Sequence, residues 1–402
     1  MAVRIISLGG EHGMQRKRIA RIARERFLNE SLFAGFTDIR KKPQIRLQAI
    51  LTSLFAMPFF AVASLLSNDR EARTKQYKGL FGCRRKMVAS DSTFARVLGW
   101  LRQQEVKSFQ QRFLATFEER DLLRKSLSVK GRPWRLGILD GSYMGGHWLV
   151  TLCLAGAINY PAMVERSESQ GTEQAVARKL MGQASKVLGK LRPELWLLDA
   201  LYFNVNTIRT ALRNGAQVLF KFKKAELRTV TKDAENLFVH FGGDEEAGGW
   251  DGARQCGWKV CKTVDTFQGY PVQVVELTEY YPKRKGRTHE HCWIVSTELG
   301  LSLEEIREAA HQRWQIENNV FKRISHLSGT KRFYFRDHRQ FFNLLRLFLT
   351  AIAVLDYILV LLRAKKLLYA ALRDGIKGTW RNVFSRIREA LAELPCAFER
   401  MT

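Results

Sequence analysis

Residues 131–222 restrict the fold more than any other part of the chain, because short apolar runs there alternate with helical segments and two of the runs end in aspartate. The run 134–140 (WRLGILD) reads as a buried strand that meets a turn at Gly141. Stretches 147–157 and 158–165 read as two more strands, the first almost continuously apolar. Residues 174–191 contain no proline and are expected to form a helix, weakened at Gly182 and Gly189. The run 195–199 (LWLLD) repeats the strand-then-aspartate device. After it, 206–213 reads as a helix closed by Asn214 and Gly215, and 216–221 as one more apolar strand. Strand, strand, strand, helix, strand, helix, strand describes an α/β fold, a mixed sheet flanked by helices. Ligands of such open sheets gather at the carboxyl ends of strands, where Asp140 and Asp199 are both expected. An aspartate after a strand is also a common turn residue, so neither position is decisive alone.

A third acid comes from a later helix. Residues 302–325 (SLEEIREAAHQRWQIENNVFKRIS) open with Ser302 and Glu305 at capping-box spacing, place Glu304 and Glu305 in the first turn, and contain no proline or glycine. At helical spacing Ile306, Ala310, Arg313, Glu317, Val320 and Ile324 share one face, apolar except at its middle. There a cation precedes a carboxylate by four residues, the poorer order for a helical ion pair. The pair is expected to serve something it holds; an ordinary salt bridge at a core edge is the plainer alternative.

Charge narrows the partners. The chain has 402 residues, with 66 Lys and Arg against 39 Asp and Glu and a net charge of +27. Such a surplus repels itself unless a polyanion balances it, and nucleic acid is the commonest polyanion, an anionic membrane surface being its rival. Basic residues recur through 70–86, 313–339 and 363–388, so a long positive surface is expected. The length allows two or three domains. The expected organisation is a helical region over 1–130 for DNA binding or dimerisation, with a basic helix at 14–28 and a capped helix start at Ser90. Residues 131–222 form the first part of the sheet core. Residues 223–300 read as a β-rich insertion, with strands at 237–241, 258–263, 272–278 and 292–295 and a basic loop tip at 283–287. Residues 301–362 supply the core's final helices, and 363–402 a basic helical C-terminal region.

Six cysteines without a CxxC, and no stretch at the start that reads as a signal peptide, fit a reducing cytoplasm. Cys256, Cys261, His289, His291 and Cys292 match no common zinc spacing. Residues 47–66 are uncharged and long enough to span a bilayer, but Gln48, Thr52, Ser53, Ser64 and a central Pro58 favour two buried helical segments kinked at the proline. Residues 341–362 carry Arg346 and Asp356, which favours a buried amphipathic helix over a membrane span.

Three carboxylates converging from two strands and a helix repel one another unless they protonate or share a cation. Hard oxygen ligands of this kind suit Mg²⁺ or Mn²⁺. Two such ions, roughly 3.5–4 Å apart, activate an attacking oxygen and stabilise a departing one at phosphorus. Arg313, one turn before Glu317, is placed to brace a phosphate oxygen or to orient that carboxylate.

On these residues the chain resembles the DDE transposases of bacterial insertion sequences, of the insertion-sequence family four type, which have a ribonuclease H-like core. The resemblance rests on Asp140 and Gly141, on the stretch from Leu198 and Asp199 to Tyr202, and on RWQIEN from Arg313 to Asn318. The stretches 36–40 (FTDIR) and 90–94 (SDSTF) add to it. It implies that Asp140, Asp199 and Glu317 carry two catalytic metals, that Arg313 contacts DNA, and that a dimer joins two element ends. The family's Tyr seven residues before the glutamate is Ala310 here, and its Lys seven residues after is Ile324. Lys322 and Arg323 lie nearby at another angle and are the remaining candidates for DNA contact. The competing expectations are a metal-dependent nuclease of the same fold, a catalytically inert DNA-binding relic, and a membrane-surface protein.

Overall fold

The computed structural model describes residues 30–60, 64–73, 89–126, 132–223, 228–241, 244–250, 255–261, 266–280, 289–314, 316–322 and 337–361, with a few isolated positions between them. The expected basic helix at 14–28, apart from Glu25 and Phe27, the loop tip at 283–287, Arg323 and residues 363–402 lie outside the described residues.

The chain opens as helices: α1 (Leu47–Ala56), α2 (Leu65–Ala72), α3 (Asp91–Trp100) and α4 (Gln103–Glu118). Pro58 starts a short 3₁₀ turn, so the apolar stretch from residue 47 does divide at the proline, and α1 is buried along most of its length. Ser90 caps α3 by accepting from the Thr93 amide at 3.3 Å. Phe33 stacks on Phe109 with centroids 5.1 Å apart, and the chain of rings continues through Phe113 and Phe117 to Tyr160 in the sheet. Aromatic packing thus joins the helical leader to the core.

The sheet begins with a meander, β1 (Leu136–Met144), β2 (His147–Ala155) and β3 (Asn159–Ser167). After α5 (Glu173–Leu188), β4 (Leu195–Asp199) runs parallel to β1; after α6 (Val205–Arg213), β5 (Gln217–Phe222) runs parallel to β4. Three antiparallel strands, with two parallel strands added on the far side of the first, form the ribonuclease H-like core of an α/β molecule.

Two expectations fail here. β1 does not turn at Gly141; it continues to Met144 and reverses at Gly145 and Gly146, both at positive φ, so Asp140 sits inside the strand. Residues 237–241 are not a strand but the end of α7 (Arg228–Phe241). Thr231 and Ala234 are buried and Phe238 stacks on Trp293, while Val239 is exposed, which is helical periodicity.

The strands that follow, β6 (Asp244–Trp250), β7 (Gln255–Cys261), β8 (Gln273–Tyr280) and β9 (His289–Ser296), extend the core sheet. β9 pairs antiparallel with β5, and the nine strands run in the order β3-β2-β1-β4-β5-β9-β8-β7-β6. The β-rich segment is therefore continuous with the sheet.

After α8 (Leu303–Gln312) comes a π-helical turn, Ile316–Phe321, and then the long α9 (His338–Leu361). Residues 338–358 are apolar and long enough to cross a bilayer, and they are buried inside the protein. Asn343 donates to the Leu98 and Leu101 carbonyls that end α3, and Arg346 donates to the Val164 carbonyl of β3 at 2.7 Å. These two polar residues of the helix thus satisfy backbone acceptors that burial would otherwise leave bare.

Candidate active site

Strand register gathers the first two acids. Ile138 pairs with Leu197 where β1 and β4 run parallel, so Asp140 and Asp199, each two residues further on, come side by side on the same face. Asp199 is paired in turn with Lys221 of β5. Thr151 lies opposite Asp140 on β2. Asp199 also caps the 3₁₀ turn Ala200–Tyr202, accepting from the Leu201 amide at 3.0 Å.

The late helix brings the third acid over this face, though not as the single helix the sequence implied. α8 starts with the expected capping box between Ser302 and Glu305 but ends at Gln312, and Glu317 lies in the π-helical turn. That wider turn keeps Ile316, Val320 and Ile324 buried while leaving the Glu317 side chain 43% exposed. Single π turns inside helices often mark functional positions. Arg313 donates to Glu317 Oε1 at 3.1 Å, so the two do pair with each other, across the change of pitch and at the wall of a cavity.

Electrostatics couples these groups. Asp140 is 9% exposed, and its pKa is pushed up to about 7, chiefly by burial; Arg313 pulls it down, while the charges of Asp199 and Glu317 push it up. Buried polar atoms without a hydrogen-bond partner cluster around the same point: Thr151 Oγ1 opposite Asp140, the Tyr202 hydroxyl, and Arg313 Nε. The Tyr202 hydroxyl is held well above its ordinary range by burial and then by the charges of Asp140, Asp199 and Glu173.

A cavity of about 780 Å³ opens beside the acids, its wall including Asp199, Lys221, Cys292, Trp314 and Glu317. Lys221 is buried, with its ammonium 4.1 Å from the centre of the Trp314 ring. Glu279, almost fully buried on β8, accepts from Arg307 at 2.8 Å and from His311 at 2.9 Å, which clamps α8 to the sheet. The sequence pointed to none of Lys221, Glu279 or Glu173. Lys221 carried the one available hint, a cation at the end of an otherwise apolar strand beside the Asp199 strand.

Of the expected site residues, Asp140, Asp199, Glu317 and Arg313 come together. Lys322 is exposed on the helical segment after Glu317, and the cation that the fold does set beside Asp199 is Lys221. Two of the zinc candidates fall on different faces: His291 bonds Glu276 at 2.6 Å, and Cys292 points the other way, its thiol pushed up to about 11 mainly by burial. Carboxylates are the right donors for a hard divalent cation. Among the described residues, however, no three His, Cys, Asp or Glu side chains stand close enough to hold an ion, and Glu317 is engaged by Arg313.

Fold and site together define an α/β protein with a ribonuclease H-like sheet and a cluster of acids on one sheet face. No family model and no curated sequence matches the chain. Among solved structures it is similar to the piggyBac transposase synaptic complex with hairpin DNA, at 11% identity and a TM-score of 0.36, over 96% of this chain and 83% of that one. A superposition that loose says nothing by itself about activity.

Proposed function

We propose that the chain is a DDE-type DNA transposase, of the insertion-sequence family four type, acting in the bacterial cytoplasm on double-stranded element ends and target DNA. The observation that carries this reading is the placement of Asp140, Asp199 and Glu317 within reach of one another's charge, on one face of a ribonuclease H-like sheet, in a chain of net charge +27. Asp140, Asp199 and Glu317 would hold Mg²⁺ or Mn²⁺, two ions in the full site. Bound there, the metal supplies charge stabilisation at phosphorus and a more reactive attacking oxygen.

The residues of the chain then divide the work. Asp140 and Asp199, fixed on adjacent strands, give the site a rigid base. Glu317 completes it from a helical turn that Arg313 restrains. Arg313, which restrains Glu317 here, would brace a phosphate oxygen if that carboxylate were drawn onto a cation. Lys221 adds a second positive charge beside Asp199. The reaction is hydrolysis of one strand at the element end, freeing a 3′-hydroxyl, which then attacks a phosphodiester of the target and displaces its 3′-oxygen. A homodimer would pair the two ends.

The test is cleavage of a labelled duplex carrying the terminal repeats that flank the gene, with Mg²⁺ or Mn²⁺. Native protein is expected to cut at the repeat boundary and to form joined products, and Glu317→Gln to do neither. Undiminished cutting by Glu317→Gln would remove that residue from the site, and cutting without joining would make the protein a nuclease.

A further inference from the structure

Lys221 is a cation that the three-acid reading does not require. It stands on β5 opposite Asp199 and on the same sheet face, and Asp140 occupies the next place in that row. Neighbouring strands lie about 4.8 Å apart, so the backbone of Lys221 is roughly 5 Å from that of Asp199 and roughly 10 Å from that of Asp140. The lysine therefore flanks the acids on the β5 side. It is only 9% exposed, and it lines the cavity of about 780 Å³.

An ammonium taken out of water is costly unless an acid or other acceptors replace the water, so buried lysines are normally paired. This one is not. Among the described residues no carboxylate forms an ion pair with it and no oxygen accepts a hydrogen bond from it. Its close partner is the face of Trp314, whose ring centre lies 4.1 Å from the ammonium. Other charges in the wall answer one another: Arg313 donates to Glu317, while Arg307 and His311 hold Glu279. Lys223, exposed at the same wall, adds a further positive charge.

A ring face holds an ammonium in place without neutralising it. A cation fixed in this way, with its counter-charge still missing and water partly excluded, attracts an anion more strongly than an exposed lysine does. Lysine binds phosphate as a point charge, and the cavity is large enough for a nucleotide unit. We infer that Lys221 and Trp314 form a phosphate seat, in which the ammonium holds a backbone phosphate of the DNA strand next to the phosphate at the acids and the Trp314 ring fixes the ammonium. The inference rests on reading the partner as DNA, and it requires neither metal nor cleavage. Lys221 thereby sets the register of the strand against Asp140 and Asp199.

The experiment measures binding of a four-thymidine single strand, and of its uncharged methylphosphonate analogue, to the full chain by titration calorimetry in chelator. Physiological ionic strength limits the reach of exposed charges to about 8 Å. Native protein is compared with Lys221→Met, with Lys221→Arg, and with Lys186→Met, which removes an exposed lysine of α5. Lys221→Met is expected to melt at or above the native temperature, since it removes an unpaired buried charge; a lysine that served structure alone would lower it on replacement. The same variant should bind the thymidine strand about tenfold or more weakly and bind the methylphosphonate strand like native protein. Lys221→Arg should keep most of the binding, and Lys186→Met nearly all of it. Equal losses in Lys221→Met and Lys186→Met, or no binding by native protein, overturn the seat. Native-like binding by folded Lys221→Met, in a protein that cuts its duplex, overturns the seat and leaves the three-acid reading standing. Loss of binding in Lys221→Met, in a protein that never cuts, leaves the seat and removes the transposase.

Discussion

Asp140 turns position into chemistry most directly, because burial and two neighbouring acids raise its pKa from 3.8 to about 7. Between those values the folded, metal-free chain keeps a proton that the unfolded chain has released. The unfolded state therefore binds fewer protons, and stability falls as pH rises from about 4 through about 7. Melts in chelator across that window are expected to show the decline, and Asp140→Asn to flatten it; an unchanged slope in the variant would assign the effect elsewhere. A divalent cation should reverse the trend, since it binds the ionised form. Glycines give a second residue-scale test. A Cβ at Gly182 of α5 meets nothing, so Gly182→Ala should stabilise by about 1 kcal/mol through helix propensity. A Cβ at Gly156 would strike the backbone of Leu122 and Arg124, so Gly156→Ala should destabilise by about 1–3 kcal/mol. Denaturant midpoints of the two variants should move in opposite directions.

Among the elements, α8 and the turn after it decide where Glu317 stands, and Glu279 decides where α8 stands. Its carboxylate is 2% exposed and is shared by Arg307 and His311, one turn apart on that helix. Glu279→Ala strands Arg307 near the sheet and should cost about 3 kcal/mol. Cleavage should fall further than stability explains, because the helix carrying Arg313 and Glu317 loses its anchor. A variant as stable as native protein would show the clamp to be dispensable. What the sequence made legible at this scale follows from local rules. Apolar runs located β2, β3, β4, β5 and β9, and the capping box located the start of α8 to the residue, though not its end. The errors fall where distant packing overrides those rules. Gly141 looks like a turn until Glu173, at the start of a later helix, is seen to lie against it. The run LFVHF looks like a strand until Trp293 is seen to take Phe238. The π turn at Glu317 leaves no local mark either, since the wider pitch serves the burial of Ile316 and Val320. Glu173 and Glu279 escaped for a related reason: one resembles an ordinary first-turn acid, the other a solvated strand residue.

At the scale of the whole molecule, one apolar core runs from Phe27 to Ile358, and α9 lies in its middle, bonded to both the leader and the sheet. The helical leader and the acid site are thus parts of one packed body, and the net charge of +27 acts on any partner as a long-range field. If that partner is DNA, affinity comes mainly from phosphate neutralisation, and its salt dependence counts the phosphates. A protein making roughly 6–10 such contacts loses about 10³- to 10⁵-fold in affinity between 50 and 200 mM salt. Binding of a labelled duplex, followed by anisotropy in chelator, is therefore expected to weaken by at least about 10³-fold over that range. The acid site contributes nothing favourable to this measurement, since without metal its carboxylates repel phosphate. Asp199→Asn should accordingly bind at least as tightly as native protein, with the same salt slope, while losing cleavage when metal is restored. A shallow slope would mean that the positive surplus meets something other than a nucleic-acid backbone. Weaker binding by Asp199→Asn in chelator would mean that the acids hold the duplex themselves.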